Sequence, residues 1–127
     1  MQPKLTKLEL QIMEVLWEQG PLPVREVQER LSIAKRAAYT TIQTVMYRLE
    51  AKKALRRTSK VGNAHIFEPS ISRVSAHKRL IDEFIALLGG SVQLVMANLV
   101  DTGKLSLADV QQAEARLREL QKKRGSK

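Results

Sequence analysis

Thr40, Thr41, Gln43, Thr44 and Tyr47 place four hydroxyls and one carboxamide within eight residues, none of them formally charged. If this segment is helical, a step of about 100° per residue puts Thr40, Gln43, Thr44 and Tyr47 on one side, with Arg48 at its margin. Ile42, Val45, Met46 and Leu49, spaced i, i+3, i+4 and i+7, then share the opposite side. A face turned only to water is ordinarily dressed with Glu and Lys. Neutral groups of modest reach that donate and accept are suited to the edges of bases. Lys35 and Arg36 precede the segment and Lys52 and Lys53 follow it, where cations can hold phosphates while the middle reads. The competing reading is a plain solvated face.

The charge balance sharpens this choice. Residues 35–60 contain Lys35, Arg36, Arg48, Lys52, Lys53, Arg56, Arg57 and Lys60 against the single acid Glu50, so +7 of the net +9 sits in one block. Residues 1–34 carry −1, residues 61–115 carry −2, and residues 116–127 carry +5. One-signed charge focused on a small chain is the footprint of a nucleic-acid binder, because neutralising phosphates releases counterions. The scarcity of aromatic residues, two Tyr, two Phe and one Trp, argues against a single-strand binder that stacks bases on rings.

Other chemistries find little support. The chain has no Cys, which removes disulfides, thiolate metal sites and thiol nucleophiles and fits a cytoplasmic protein. His65 and His77 are too few and too far apart to converge on a metal. They read instead as a histidine near the backbone of bound DNA and one on a helix surface. Trp17 reads as packing. No nucleophile–base constellation, phosphate-cradling loop or paired carboxylate is apparent, so neither enzyme activity nor a cofactor is expected. No stretch approaches the roughly 20 apolar residues of a membrane span, and the N-terminus lacks the apolar run of a signal peptide, so no membrane insertion is expected.

The elements that must position these residues can be read in order. With 127 residues and 43% apolar content, the chain suits one domain, or a small domain with an oligomerisation segment. Thr6 with Glu9 fits a capping box, and Leu8, Ile12, Val15 and Leu16 continue at helical spacing until Gly20-Pro21 stops them. A short helix follows Pro23, with Val24, Val27 and Leu31 inward. The reading helix begins between Lys35 and Tyr39 and runs to about Lys53. Ala54 to Ser59 and Ala64 to Glu68 then form a hairpin with its tip at Lys60 to Asn63. Helix, helix, basic helix and hairpin make a winged helix-turn-helix, whose third helix enters the major groove and whose wing lies along the backbone. Arg56, Arg57 and Lys60 are then phosphate contacts.

Residues 71–127 read as all helix. Val74, Ile81, Phe84, Ile85 and Leu88 line a helix ended by Gly89-Gly90. Val92, Val95, Met96, Leu99 and Val100 make a short one. Ser106 and Asp109 cap a last helix with Val110, Ala113, Leu117 and Leu120 at 3–4 spacing. Three helices with this much apolar surface and little bulk bury it in another chain. Ile81, Phe84, Leu88, Val95, Leu99, Val110, Leu117 and Leu120 are therefore the expected dimer contacts. The segment from Gln121 reads as a flexible basic tail. The expected architecture is mainly α: a winged helix-turn-helix domain over 1–70 and a three-helix dimerisation region over 71–127.

Specific motifs add a resemblance. Leu8-Glu9-x-x-Ile12-Met13-x-x-Leu16-Trp17, Arg25-Glu26-Val27 and Ala38-Tyr39-Thr40-Thr41-Ile42-x-Thr44-Val45-x-x-Arg48-Leu49-Glu50-x-Lys52 are similar to the penicillinase-repressor family of bacterial regulators (BlaI/MecI/CopY type). The likeness continues through Gly62-x-Ala64-His65-x-Phe67-x-Pro69 and Phe84-x-x-x-Leu88-Gly89-Gly90-Ser91. It covers about residues 4 to 120. The resemblance implies a homodimeric transcriptional repressor that binds double-stranded palindromic operators upstream of resistance genes and is inactivated when a membrane sensor-protease signals. By position, it places DNA contacts on Thr40, Thr41, Gln43, Thr44, Tyr47 and Arg48. The bond cleaved in the beta-lactam branch, which follows an Asn and precedes a Phe, falls on Asn98-Leu99. Several relatives carry a basic residue at the place of Thr40 and Arg at that of Gln43, so the operator sequence does not carry over. The copper-responsive branch has a C-terminal cysteine cluster that this chain lacks.

Two other readings stand beside the repressor. An architectural protein would use the same charge without sequence preference. A protein-interaction module would need a partner acidic enough to match the basic block.

Overall fold

The computed structural model describes residues 4–31 and 37–125. Along them run α1 (Lys7–Gln19), α2 (Val24–Arg30), α3 (Tyr39–Ala51), β1 (Leu55–Val61), β2 (Ala64–Pro69), α4 (Arg73–Leu87), α5 (Val92–Asp101) and α6 (Leu107–Gly125). The fold is mainly α, with a two-stranded antiparallel wing after the third helix. Two compact units meet in the sequence between Leu80 and Ile81. Among the described residues no single helix is long and apolar enough to cross a membrane.

The first unit is built to hold α3 still. The Thr6 hydroxyl accepts the Glu9 amide at 3.3 Å while Glu9 Oε1 accepts the Thr6 amide at 2.8 Å, so the capping box starts α1 where its sequence predicts. Gly20, at φ +91°, ends the helix in a conformation that a β-carbon would disfavour. Ile12, Met13 and Leu16 then meet Val24 and Val27 of α2 and Ile42, Val45, Met46 and Leu49 of α3 in one core. Leu55 and Phe67 bring the wing into that core. Leu22 adds a bridge to the hairpin, with both of its backbone groups bonded to Phe67 at 3.0 and 3.1 Å. The wing is thereby stitched to the α1–α2 loop as well as to α3.

One ion pair ties the first turn of α1 to the end of α3. Glu9 is fully buried, and Lys52, the C-cap of α3, donates to its Oε1 at 2.6 Å and to the Lys4 carbonyl at 3.0 Å. Burial raises the Glu9 pKa, but the Lys52 hydrogen bond and the Thr6 amide outweigh it, and the carboxyl is held below its ordinary value.

The helix α3 closes in a Schellman arrangement. Ala54 N–H reaches the Leu49 carbonyl and Lys53 N–H the Glu50 carbonyl, both at 2.9 Å. The left-handed position belongs to Lys53, at φ +67°, where glycine is the ordinary occupant.

Two boundaries differ from the sequence reading. β1 runs through Lys60 to Val61, so the tip shrinks to Gly62-Asn63, with Gly62 at φ +61°. A two-residue loop of this kind matches strand twist and lets the ladder continue to its last pair, Val61 opposite Ala64. The segment from Gln121 is not a flexible tail: α6 stays helical through Gly125. Its last turn holds Lys122, Lys123 and Arg124, which complement the negative end of the helix dipole.

In the second unit no residue of α5 or α6 is buried, nor any of α4 beyond Leu80. Ile81, Phe84, Leu88, Val110, Leu117 and Leu120 are exposed, while Val95 and Leu99 are half-buried. Phe84, Leu88, Leu94, Val95 and Leu99 line an apolar groove of about 380 Å³.

Candidate nucleic-acid interface

Periodicity sorts α3 into two faces, and the fold keeps them apart. Ile42, Met46 and Leu49 are completely buried and Val45 nearly so. Thr40, Thr41, Thr44, Tyr47 and Arg48 are exposed, and Gln43 is half-buried. The helix is seated on α1 and α2 from behind, so the polar face is presented as a fixed row. Within the row, the Thr44 hydroxyl donates to the Thr40 carbonyl at 2.9 Å. That bond uses the hydroxyl's proton and leaves the oxygen turned outward as an acceptor. Gln43 Nε2 donates to the Tyr47 hydroxyl at 3.2 Å, which fixes the amide and the phenol relative to each other. A cleft of about 280 Å³ opens beside this row, between the start of α2, Tyr39, Gln43 and Tyr47, and Asn63 to His65 of the wing.

The cations expected to hold phosphates occupy three different settings. Lys35 and Arg36 lie outside the described residues. Arg48, on α3, and Lys60, on β1, are exposed, and among the described residues neither makes an ion pair. Lys52, Arg56 and Arg57 are engaged within the fold. Lys52 is turned inward to Glu9. Arg56 Nε donates to Glu68, its cross-strand partner, at 2.6 Å. That pair is exposed, and such pairs contribute about 0–1 kcal/mol, so it can rearrange. Arg57 donates to Glu50 at 2.9 Å while its guanidinium lies over the rings of Tyr47 and Phe67, at 5.0 and 5.3 Å from their centroids.

Sequence reasoning missed two features of this surface. Lys53 was expected among the phosphate-holding cations, but its left-handed backbone, which sets an exposed cation at the very end of the reading helix, was not. Arg25 stacks over Tyr39 at 5.2 Å, bringing a cation from α2 to the opposite end of the same helix. A Lys at a position that prefers Gly was visible only as an absent Gly after the helical pattern; nothing in the spacing announced Arg25.

The two histidines serve no common site. His65 lies on β2. His77, on α4, has Nε2 at 3.0 Å from Glu14 Oε1, beside Arg73, which donates to both carboxylate oxygens. Arg73 above all, with His77, holds the Glu14 carboxyl below its ordinary value against the opposing effect of burial. Trp17 donates to the Ile71 carbonyl at 3.0 Å and meets the His77 ring edge-on at 6.0 Å, so it packs rather than stacks on a ligand.

Comparison with known proteins gives this surface its context. The model of the penicillinase repressor family matches residues 5–119. The chain is 27% identical over 105 residues to the penicillinase repressor of Bacillus licheniformis, a match covering 82% of this chain and 81% of that protein. It is 35% identical over 101 residues to the transcriptional regulator BlaI of Mycobacterium tuberculosis, covering 77% of this chain and 72% of the relative. The solution structure of the DNA-binding domain of the repressor BlaI is similar to this fold with a TM-score of 0.50 at 32% identity, over 56% of this chain and 85% of that domain.

Proposed function

The chain belongs to the penicillinase repressor family of DNA-binding transcriptional repressors, and we propose that it acts as a homodimer on near-palindromic operators in the cytoplasm. The observation that carries this reading is the row of neutral hydrogen-bonding side chains on α3, held outward by a core that buries the whole opposite face. Thr40, Thr41, Gln43, Thr44 and Tyr47 read base edges in the major groove, with Arg48 at the margin. Lys53, Lys60, Arg56 and the pair Lys35 and Arg36 hold phosphates. Lys52 is reserved for the fold by its bond to Glu9. Two copies associate through Ile81, Phe84, Leu88, Val95, Leu99, Val110, Leu117 and Leu120, because a unit without a buried residue of its own needs a second chain to cover it. The regulated genes are of the beta-lactam-resistance or stress kind. Repression ends by cleavage at Asn98-Leu99 by a membrane sensor-protease, or by another signal.

Recovering genomic DNA bound to the full-length protein tests this reading. The expected result is one near-palindromic motif whose half-sites lie one or two helical turns apart. Fragments without a common motif would contradict it.

Two substitutions follow from the division of labour. Gln43→Ala or Thr44→Ala is expected to weaken binding to that motif about tenfold and to relax the preference at one base pair, measured by competition with single-position variants. Lys53→Gly is expected to act with opposite signs on folding and binding. Relief of the left-handed strain raises stability by up to about 1 kcal/mol. Loss of a phosphate cation lowers the log–log salt slope by about one unit. Denaturant unfolding and salt titration read the two effects separately; a stabilised variant with an unchanged slope would remove Lys53 from the interface.

A further inference from the structure

Arg57 is the wing cation that the fold treats differently from the others. It stands opposite Phe67 in the strand register, and directly opposed residues share a face of the hairpin. Phe67 is buried in the core, so Arg57 shares the face of the hairpin that turns toward α3, although its side chain keeps 35% of its surface exposed. The register slips between Arg57 and Ser59, and such a bulge bends its strand and re-aims the neighbouring side chain. The guanidinium ends over Phe67 and Tyr47, whose rings lie 6.2 Å apart, with Nε on the Glu50 carboxylate. Tyr47 and Glu50 are about one turn apart on α3, so one side chain of the wing grips two successive turns of the reading helix. The phenol of Tyr47 is held from its other end by Gln43. A continuous chain therefore runs from Glu50 through Arg57 and Tyr47 to Gln43.

We propose that Arg57 is a positioning residue that fixes the ring of Tyr47, and through it the amide of Gln43, for base recognition, and is not a phosphate anchor. Its charge is paired with Glu50 and its guanidinium is engaged by two rings, so this partly exposed cation is already committed within the fold. What it supplies is planarity. A guanidinium can stack on a ring and bond a carboxylate in its own plane, which an ammonium cannot. The inference rests on the operator-reading role of α3 proposed above and adds the residue that sets its geometry.

The test uses full-length protein and a duplex selected by it from a random-sequence pool, with variants altered at the base pairs under Gln43 and Tyr47. Affinities across a salt series are measured for the parent, Arg57→Ala, Arg57→Lys, Glu50→Gln and Lys60→Ala, with thermal unfolding of each. Positioning predicts that Arg57→Ala and Arg57→Lys both cut the ratio of selected to altered duplex about fivefold or more while leaving the salt slope unchanged. Lys60→Ala lowers the slope by about one unit with the ratio intact. Glu50→Gln frees the Arg57 charge and raises the slope while the ratio falls. If Arg57→Ala is too unstable to assay, Arg57→Lys and Glu50→Gln carry the test. The inference is overturned if Arg57→Ala lowers the slope as Lys60→Ala does and Arg57→Lys matches the parent. A parent that prefers no duplex sinks the operator reading and this inference with it, whereas a selective parent with anchor-like Arg57 variants sinks the inference alone.

Discussion

A chain ending at Leu80 is expected to fold, to sediment as a monomer and to bind the operator roughly 10²–10⁴-fold more weakly than the full-length protein. The cut follows the boundary between the two units. Stopping at Pro69 instead would remove the Ile71 carbonyl that Trp17 bonds, the buried Ala76, and the Arg73 and His77 partners of Glu14. The shortened chain keeps its core and its entire α3 row. Its loss of affinity comes from losing the second half-site, whose effective concentration the dimer sets. A chain ending at Asn98 should lose affinity to a similar degree, because it lacks α6 and the end of α5. The Asn98 carbonyl accepts both the Thr102 amide and its hydroxyl, at 3.0 and 2.8 Å. A protease would therefore have to open the end of α5 before cutting. Sedimentation and operator titration of the two fragments check the expectation; a Leu80 fragment as tight as the parent would contradict the bivalent account.

The second large effect is on stability. Lys52→Ala is expected to cost about 2–3 kcal/mol at neutral pH by leaving a buried carboxylate without its ammonium. The figure lies below that for a fully buried pair because the Lys52 side chain remains 30% exposed. The pH dependence follows from the depressed Glu9 pKa. In the parent, the stability that ionised Glu9 contributes is fully present above its ordinary value of 4.5 and is lost as pH falls through the lower folded value. In Lys52→Ala, only the Thr6 hydrogen bonds still oppose burial, so the carboxyl pKa moves up and the deficit narrows on acidification. Denaturant unfolding at a series of pH values measures both. Pairing Glu9→Gln with Lys52→Met is expected to recover most of the loss, since no charge is then left buried.

Local rules made most of the first unit legible. Thr6 and Glu9 announced the start of α1 three residues apart, Gly20 its end, and the i, i+3, i+4, i+7 spacing of Ile42 to Leu49 the buried side of α3. The features that escaped depend on residues far apart in the chain. Lys52 was legible as a flanking charge, but its partner Glu9 lies 43 residues earlier, and only the packing of α1 against α3 joins them. The contact of Arg57 with Tyr47 and Glu50 likewise depends on the packing of the wing against α3, which no periodicity encodes. The persistence of α6 to Gly125 was masked by its charge: a basic run reads as a solvated tail, although Lys and Arg favour a helix and suit its last turn. In the second unit, the absence of a core is written in scattered apolar residues, and their spacing names the faces without naming what covers them.

The central claim is that α3 reads sequence rather than charge alone. Its most direct test is the ratio of affinities for the selected duplex and for random DNA of equal length, measured with the full-length protein at one fixed salt concentration. The account predicts a ratio of at least about 10³, with much of it lost in Gln43→Ala combined with Thr44→Ala. A ratio near one, unchanged by that double substitution, would contradict it and mark the basic block as a sequence-indifferent grip on DNA.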